Sequence, residues 1–177
     1  LLAGIALTVN VGPSTAVDLQ LQAVLASIPA GRIVLELTEH TLFDDCPELP
    51  GALATLRTSG IRLAVDDAGS GYSSLTHILK LAPDFIKLDR ELITGIDLDP
   101  VRRALVTSLV AFASDTGAEI VAEGVETKDE LDVVNSLGVR YAQGYYLGQP
   151  GQLETVSLEG TRPPRPLARS FGRAECR

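Results

Sequence analysis

The stretch Ile61-Arg62-Leu63-Ala64-Val65-Asp66-Asp67 shows the pattern on which the fold depends. It is apolar through most of its length and ends in two adjacent acids, which a glycine-rich run follows directly. A short apolar run bounded by turn residues is typical of a strand that is buried on both faces in a parallel sheet. The stretch therefore predicts a buried strand that carries acidic groups at its carboxyl end.

Similar strand-like runs recur along the chain and alternate with helix-like runs. The predicted strands are Ala6–Val11, Arg32–Glu39, Arg62–Asp67, Phe85–Asp89, Glu119–Val125 and Tyr141–Gly148. The predicted helices are Ser14–Ile28, Pro47–Ser59, Ser73–Ala82, Pro100–Gly117 and Thr127–Leu137, and the last of these opens with a capping-box pattern. Strict alternation of strands and helices predicts an α/β fold with a parallel sheet and right-handed crossovers.

Polar side chains lie near the carboxyl end of every predicted strand. They are Asn10, then Glu36 and Glu39, Asp66 and Asp67, Lys87 and Asp89, Glu123 and Glu126, and finally Gln143. Burial of an acid among apolar residues costs several kcal/mol unless a cation or hydrogen bonds compensate it. One such acid could belong to a structural ion pair, but the repetition over six strands indicates a shared site where parallel α/β folds bind their ligands.

The side chains at these strand ends predict a particular chemistry. Carboxylate and amide oxygens without His or Cys suit Mg²⁺ or Mn²⁺ rather than structural zinc. Asp66 and Asp67 could hold one ion and contact a second, and two ions would support a phosphodiester displacement. Lys87 could orient a water molecule or neutralise a phosphate, or it could form an ion pair with Asp89 or a nearby Glu. A metal-dependent enolising barrel with a lysine base also fits this set of residues.

The composition is that of one ordinary globular domain. The chain has 177 residues, of which 45% are hydrophobic and 21% charged, and this excludes a disordered or collagen-like protein. No apolar run reaches the length of a membrane-spanning helix. The net charge of −8 argues against a general DNA- or RNA-binding protein. Two cysteines are too few for a disulfide framework, which favours a cytoplasmic protein.

The end of the chain differs from the rest in composition. Residues 151–177 contain five Arg, three Glu and three Pro and show no strand pattern. We therefore expect a domain over residues 1–150 and a partly disordered tail rich in Pro and Arg over residues 151–177, with a binding arm as the alternative.

Five segments of the sequence resemble the EAL family of cyclic di-GMP phosphodiesterases, in order and at similar spacing. They are Leu35–Glu39, Val65–Asp67 with Gly69–Leu75, Ile86–Arg90, Val121–Thr127, and Gln143–Tyr146 with Pro150. The resemblance implies a modified TIM-type barrel that hydrolyses cyclic di-GMP to the linear dinucleotide with Mg²⁺ or Mn²⁺, as two ions.

The resemblance also implies a role for each residue that matches a family motif. Asn10, Glu36, Asp66, Asp67 and Glu123 resemble metal ligands, and Lys87 and Glu123 resemble the catalytic residues. Glu39 resembles the residue that holds the loop after the acid pair. Substrate-binding or supporting positions are Gly69, Ser70, Gly71, Asp89, Glu126 and Gln143.

The sequence departs from the family pattern in ways that leave two functions open. It contains no Glu-Ala-Leu segment, whose Glu binds metal in the family, and Ala68 stands where a Phe is usual. We therefore expect a fragment: an incomplete barrel with about six strands and five or more helices, derived from an active parent. The alternative is a non-catalytic receptor that binds cyclic di-GMP. The resemblance further implies a possible homodimer and a parent with sensory or GGDEF-type domains, which could be tethered to a membrane.

Overall fold

The computed structural model describes residues 6–29, 31–38, 46–68 and 79–151. Its centre is a six-stranded sheet in which every strand pairs in parallel with the next one along the chain. The strands are β1 (Leu7–Val11), β2 (Ile33–Thr38), β3 (Arg62–Ala68), β4 (Phe85–Leu88), β5 (Glu119–Ala122) and β6 (Tyr141–Ala142). The predicted incomplete α/β barrel, with its parallel sheet, is confirmed.

Six helices are described between and after the strands. They are α1 (Pro13–Ala16), α2 (Leu19–Ala26), α3 (Leu49–Thr58), α4 (Arg90–Ile93), α5 (Pro100–Thr116) and α6 (Lys128–Ser136). Asp99 caps α5 and Thr127 caps α6 with a complete capping box, as the sequence predicts. None of the described helices is long and apolar enough to cross a membrane.

Alternation along the strands gives the sheet two different faces. Residues such as Leu35, Val65 and Leu88 form the larger core cluster together with residues of the helices. The opposite face carries a smaller cluster of Val34, Ala64, Phe85 and Val121, with Ala6 and Tyr141 packed against it. On this second face the polar residues lie one step further toward the carboxyl ends, and we call it the inner face.

A register shift interrupts the pairing of β3 with β4. Val65 pairs with Ile86, whereas Ala68 pairs with Leu88, so β3 has one residue more than β4 over this interval. Such a bulge bends its strand and changes the direction of the side chains that follow it. It falls at Asp66 and Asp67, the acid pair that the sequence singles out.

Several predicted boundaries are wrong. The region Ser14–Ile28 is not one helix, because Asp18 accepts hydrogen bonds from the Gln20 and Leu21 N–H groups and so begins a new helix, α2. Residues 144–148 are a turn rather than the end of β6. Gly144 lies so close to Val125 that a Cβ atom would approach the Val125 carbonyl oxygen to 2.2 Å.

Other predicted elements change less or fall outside the description. β5 ends at Ala122, and Gly124 follows it with a φ of +68°. Helix α4 was not predicted, because four residues are too few to show helical periodicity. Most of the predicted helix Ser73–Ala82 and the predicted tail lie outside the described residues.

Candidate active site

A buried lysine lies at the centre of the polar cluster on the inner face. The Lys87 Nζ atom is 2.9 Å from Glu36 Oε1, 2.9 Å from Asp66 Oδ1 and 2.5 Å from Glu123 Oε1. Lys87 is only 2% exposed, and Glu36 and Asp66 are also buried. Three neighbouring strands and the segment after β5 thus bring one ammonium group and three carboxylates into direct contact. The alternative pairing of Lys87 with Asp89 is not observed: Lys87 contacts these three acids instead.

The charges in the cluster determine the protonation of Lys87. Burial alone would lower the pKa of Lys87, but the carboxylates of Glu123, Glu36 and Asp66 outweigh this effect and raise the pKa above its usual value. Lys87 is therefore a fixed positive charge at neutral pH.

Glu123 differs from an ordinary surface carboxylate. Burial raises the pKa of Glu123 to about 7, against the opposing effect of the Lys87 ammonium and with the help of the Asp66 and Glu36 charges. A carboxyl group with such a pKa can accept or donate a proton near neutral pH, which is what general acid–base chemistry requires.

Hydrogen bonds hold Glu123 in place. The Gln143 side-chain amide donates a hydrogen bond of 2.7 Å to Glu123 Oε1, and the Glu123 N–H donates one of 3.1 Å to the Leu88 carbonyl oxygen. The predicted proximity of the strand ends therefore brings Glu36, Asp66, Lys87, Glu123 and Gln143 together.

The supporting residues Asp89 and Glu126 lie beside this cluster. Asp89 caps α4 by accepting a hydrogen bond of 2.6 Å from the Glu91 N–H. Glu126 forms an ion pair of 2.8 Å with Arg90. The Arg90 side chain passes over Gly124 so closely that a Cβ atom at this glycine would approach Arg90 Cγ to 2.4 Å.

One residue of this region was missed as part of the site. Glu130 is 4% exposed, and its carboxylate accepts hydrogen bonds from the N–H groups of Gly95, Glu126 and Thr127. The Thr-Lys-Asp-Glu pattern indicates its bond to Thr127, but no local signal indicates its bond to Gly95, which lies 35 residues earlier.

The remaining predicted site residues are only partly described. Asn10 is exposed on β1, and its Cα atom pairs with that of Glu36. Only the backbone of Asp67 is described, and Glu39, Gly69, Ser70 and Gly71 lie outside the described residues. The predicted roles of all these residues stay predictions.

The donor set is compatible with a hard divalent cation. Glu36 Oε2 is buried and has no hydrogen-bond partner among the described residues, so one carboxylate oxygen is available as a ligand. Oxygen donors from Asn10, Asp66 and Glu123 surround the same strand ends. In the described part of the chain, however, no three His, Cys, Asp or Glu side chains form a group that could hold a metal ion, and the Lys87 ammonium lies where the carboxylates converge.

Comparison with known proteins identifies the family. The EAL domain model matches residues 2–150. The cyclic di-GMP phosphodiesterase PdeL of Escherichia coli is 34% identical over 119 residues, which are 67% of this chain and 33% of PdeL. The chain spans about a third or less of the length of the curated relatives that it matches first.

Solved structures agree with this assignment. The EAL domain of Mycobacterium smegmatis DcpA superposes with a TM-score of 0.75 at 31% identity, over 82% of this chain and 68% of that one. BlrP1 of Klebsiella pneumoniae, in a complex with manganese and cyclic di-GMP, gives a TM-score of 0.70 at 32% identity, over 79% of this chain and 38% of that one. BlrP1 is also known in a complex with calcium and cyclic di-GMP. The parallel half-barrel, the five sequence segments and these matches together place the chain in the EAL domain family.

Proposed function

We propose that this chain carries the catalytic region of a metal-dependent phosphodiesterase that hydrolyses cyclic di-GMP to the linear dinucleotide. The observation that carries the proposal is the buried cluster of Lys87 with Glu36, Asp66 and Glu123 at the carboxyl end of the sheet. The matches to relatives that are named as cyclic di-GMP phosphodiesterases support it. The same matches support residues 1–150 as the domain and residues 151–177 as a separate tail.

The metal would be Mg²⁺ or Mn²⁺, held by Asn10, Glu36, Asp66, Asp67 and Glu123. When bound, such ions lower the pKa of a coordinated water and stabilise the charge of the phosphate. The acids of the cluster repel a dianionic dinucleotide, so we expect the metal to bind before the substrate.

The protein side chains would then provide positioning and proton transfer. Lys87 Nζ, a fixed positive charge, would hold the attacking water or a phosphate oxygen. Glu123, whose pKa is about 7, would accept the proton of that water. Gln143 would keep the Glu123 carboxylate oriented through its hydrogen bond of 2.7 Å.

Chromatography of cyclic di-GMP after incubation with the chain and Mn²⁺ tests the proposal. We expect the linear dinucleotide from the wild type and from Glu119→Gln, an exposed acid of β5, but not from Glu36→Gln. No product from the wild type would limit the proposed activity to a longer protein, and a parent protein that leaves cyclic di-GMP intact would refute it.

A second candidate function is a receptor that binds cyclic di-GMP without cleaving it. The observation that favours it is the saturation of Lys87 by three carboxylates, together with the lack of a three-acid metal group in the described ranges. Calorimetry of the parent protein separates the two functions: a receptor would bind the dinucleotide at micromolar or lower concentration and leave it uncleaved in the presence of Mn²⁺.

A further inference from the structure

Glu130 connects two loops that are far apart in the sequence. One loop follows α4 and contains Gly95, and the other follows β5 and contains Glu126 and Thr127. Glu130 Oε1 accepts a hydrogen bond of 2.9 Å from the Gly95 N–H, while Oε2 accepts bonds of 2.9 Å from the Glu126 N–H and 3.0 Å from the Thr127 N–H. One buried carboxylate thus satisfies three backbone donors.

The bond to Gly95 has no role in the helix that Glu130 belongs to. The capping box of α6 needs only the reciprocal bonds between Thr127 and Glu130. Gly95 belongs to the connection between α4 and α5, which follows the strand of Lys87. The third bond therefore ties the region after β4 to the region after β5.

The tied segment is the one that carries Glu123. Between Glu123 and Glu126, the Val125 N–H donates a hydrogen bond of 3.1 Å to the Gln143 carbonyl oxygen. Gln143 in turn donates its side-chain amide to Glu123. A displacement of residues 125–127 would therefore move both Glu123 and the group that orients it.

We propose that Glu130 is a positioning residue, which keeps Glu123 in contact with Lys87 by joining the loop after β5 to Gly95. The contribution of this arrangement to hydrolysis rests on the proposed function, whereas the geometric effect on Glu123 does not. Glu130 contacts neither Lys87 nor Glu123 and acts through the backbone of residues 126 and 127.

The substitution Glu130→Gln separates this role from helix capping. A Gln supports a capping box as well as a Glu does, because its carbonyl oxygen accepts the bonds from Glu126 and Thr127. Its NH₂ group would then face the Gly95 N–H, so two donors would meet and the connection would be lost. Glu119→Gln makes the same chemical change on β5, where Glu119 contacts the exposed side chain of Arg140.

Two measurements on the whole chain give the test. In Glu130→Gln we expect amide hydrogen exchange at Gly95 to become about tenfold faster or more, while the amides of α6 keep their protection. We also expect the Gln143 side-chain NH₂ signals in NMR spectra to shift, because these protons report the position of Glu123. In an active protein, kcat should fall about tenfold with little change in KM, and Glu119→Gln should resemble the wild type in all three measurements.

The outcomes are distinguishable from those that test the proposed function. Unchanged Gln143 signals, or an unchanged kcat in an active protein, would overturn the inference even if exchange at Gly95 became faster. If the wild type is inactive, the proposed function fails for this chain, and the Gln143 signals alone decide the inference. If Glu130→Gln does not fold, Glu130→Asp replaces it: it keeps the charge but is one methylene group too short to reach both loops.

Discussion

At the scale of single residues, Lys87 holds together a cluster that would otherwise be unstable. Its ammonium group is 2% exposed and contacts the carboxylates of Glu36, Asp66 and Glu123. Without this cation, three acids would face one another in a space that excludes water. The same residue that serves the proposed chemistry is therefore also required for folding.

Replacement of Lys87 by Met should destabilise the protein by about 3–5 kcal/mol, since it removes one partner of a buried ion pair and leaves the others uncompensated. Unfolding in urea at neutral pH measures this change. Lys128→Met is the control, because Lys128 pairs with Asp132 on the surface and should have little effect. Equal stability of the two variants would show that Lys87 is not needed to balance the acids.

At the scale of the elements, glycine has opposite effects at two places. Gly117 ends α5 in the left-handed conformation, with a φ of +77°, whereas Gly51 lies on an exposed part of α3. No atom lies within 4 Å of a Cβ atom added at either glycine, so the effect of an alanine there depends on backbone conformation alone.

We therefore expect Gly117→Ala to destabilise the protein by about 1 kcal/mol and Gly51→Ala to stabilise it by about 0.5–1 kcal/mol. Thermal and urea unfolding of the two variants measure both changes. A change of the same sign in the two variants would contradict this account of the helix ends.

The capping box of α6 should make stability depend on acid pH. Burial alone would raise the pKa of Glu130, but the N–H donors of Gly95, Glu126 and Thr127 outweigh it and lower the pKa. A carboxyl group with a lowered pKa stabilises the folded state above its unfolded pKa of about 4.3, and this stabilisation is lost as the pH falls through the folded value.

We accordingly expect the difference in unfolding free energy between the wild type and Glu130→Gln to be constant from pH 7 to about pH 5 and to shrink at lower pH. Denaturation at a series of pH values measures it. A difference that grows on acidification would mean that Glu130 is protonated in the folded protein.

Elements with a long period or a specific cap could be predicted from the sequence, and the others could not. The capping box at Thr127 and the Asp99-Pro100 start of α5 are local signals that the tertiary structure keeps. The break at Asp18 was missed because apolar residues continue on both sides of it. The end of β6 was missed because it depends on a close approach of Gly144 to Val125, which no local pattern reports.

At the scale of the whole molecule, the sheet is open at both ends of its strand order. In the described residues, β1 has a hydrogen-bonded neighbour on one side only, which is β2. An unpaired strand edge is a template for association with another chain. The edge also explains why the exposed side of the sheet could be anticipated from six strands, while the partners of Lys87 required the register of the fold.

We expect the chain to self-associate with increasing concentration and Leu7→Lys to weaken this association. Leu7 lies on β1 and is 39% exposed, so a lysine there would place like charges close together when two copies pair. Sedimentation equilibrium measures the effect. Leu19→Lys, on the exposed surface of α2, should leave association unchanged, and equal weakening by both variants would exclude the β1 edge as the contact.

The passage of Arg90 over Gly124 limits the order in which substitutions can accumulate during divergence. A side chain at position 124 collides with Arg90 Cγ at 2.4 Å, so it becomes tolerable only after Arg90 has been replaced by a smaller residue. The φ of +68° remains unfavourable for any other residue even then. An evolutionary path that changes both positions must therefore begin at Arg90 and give up the ion pair with Glu126 first.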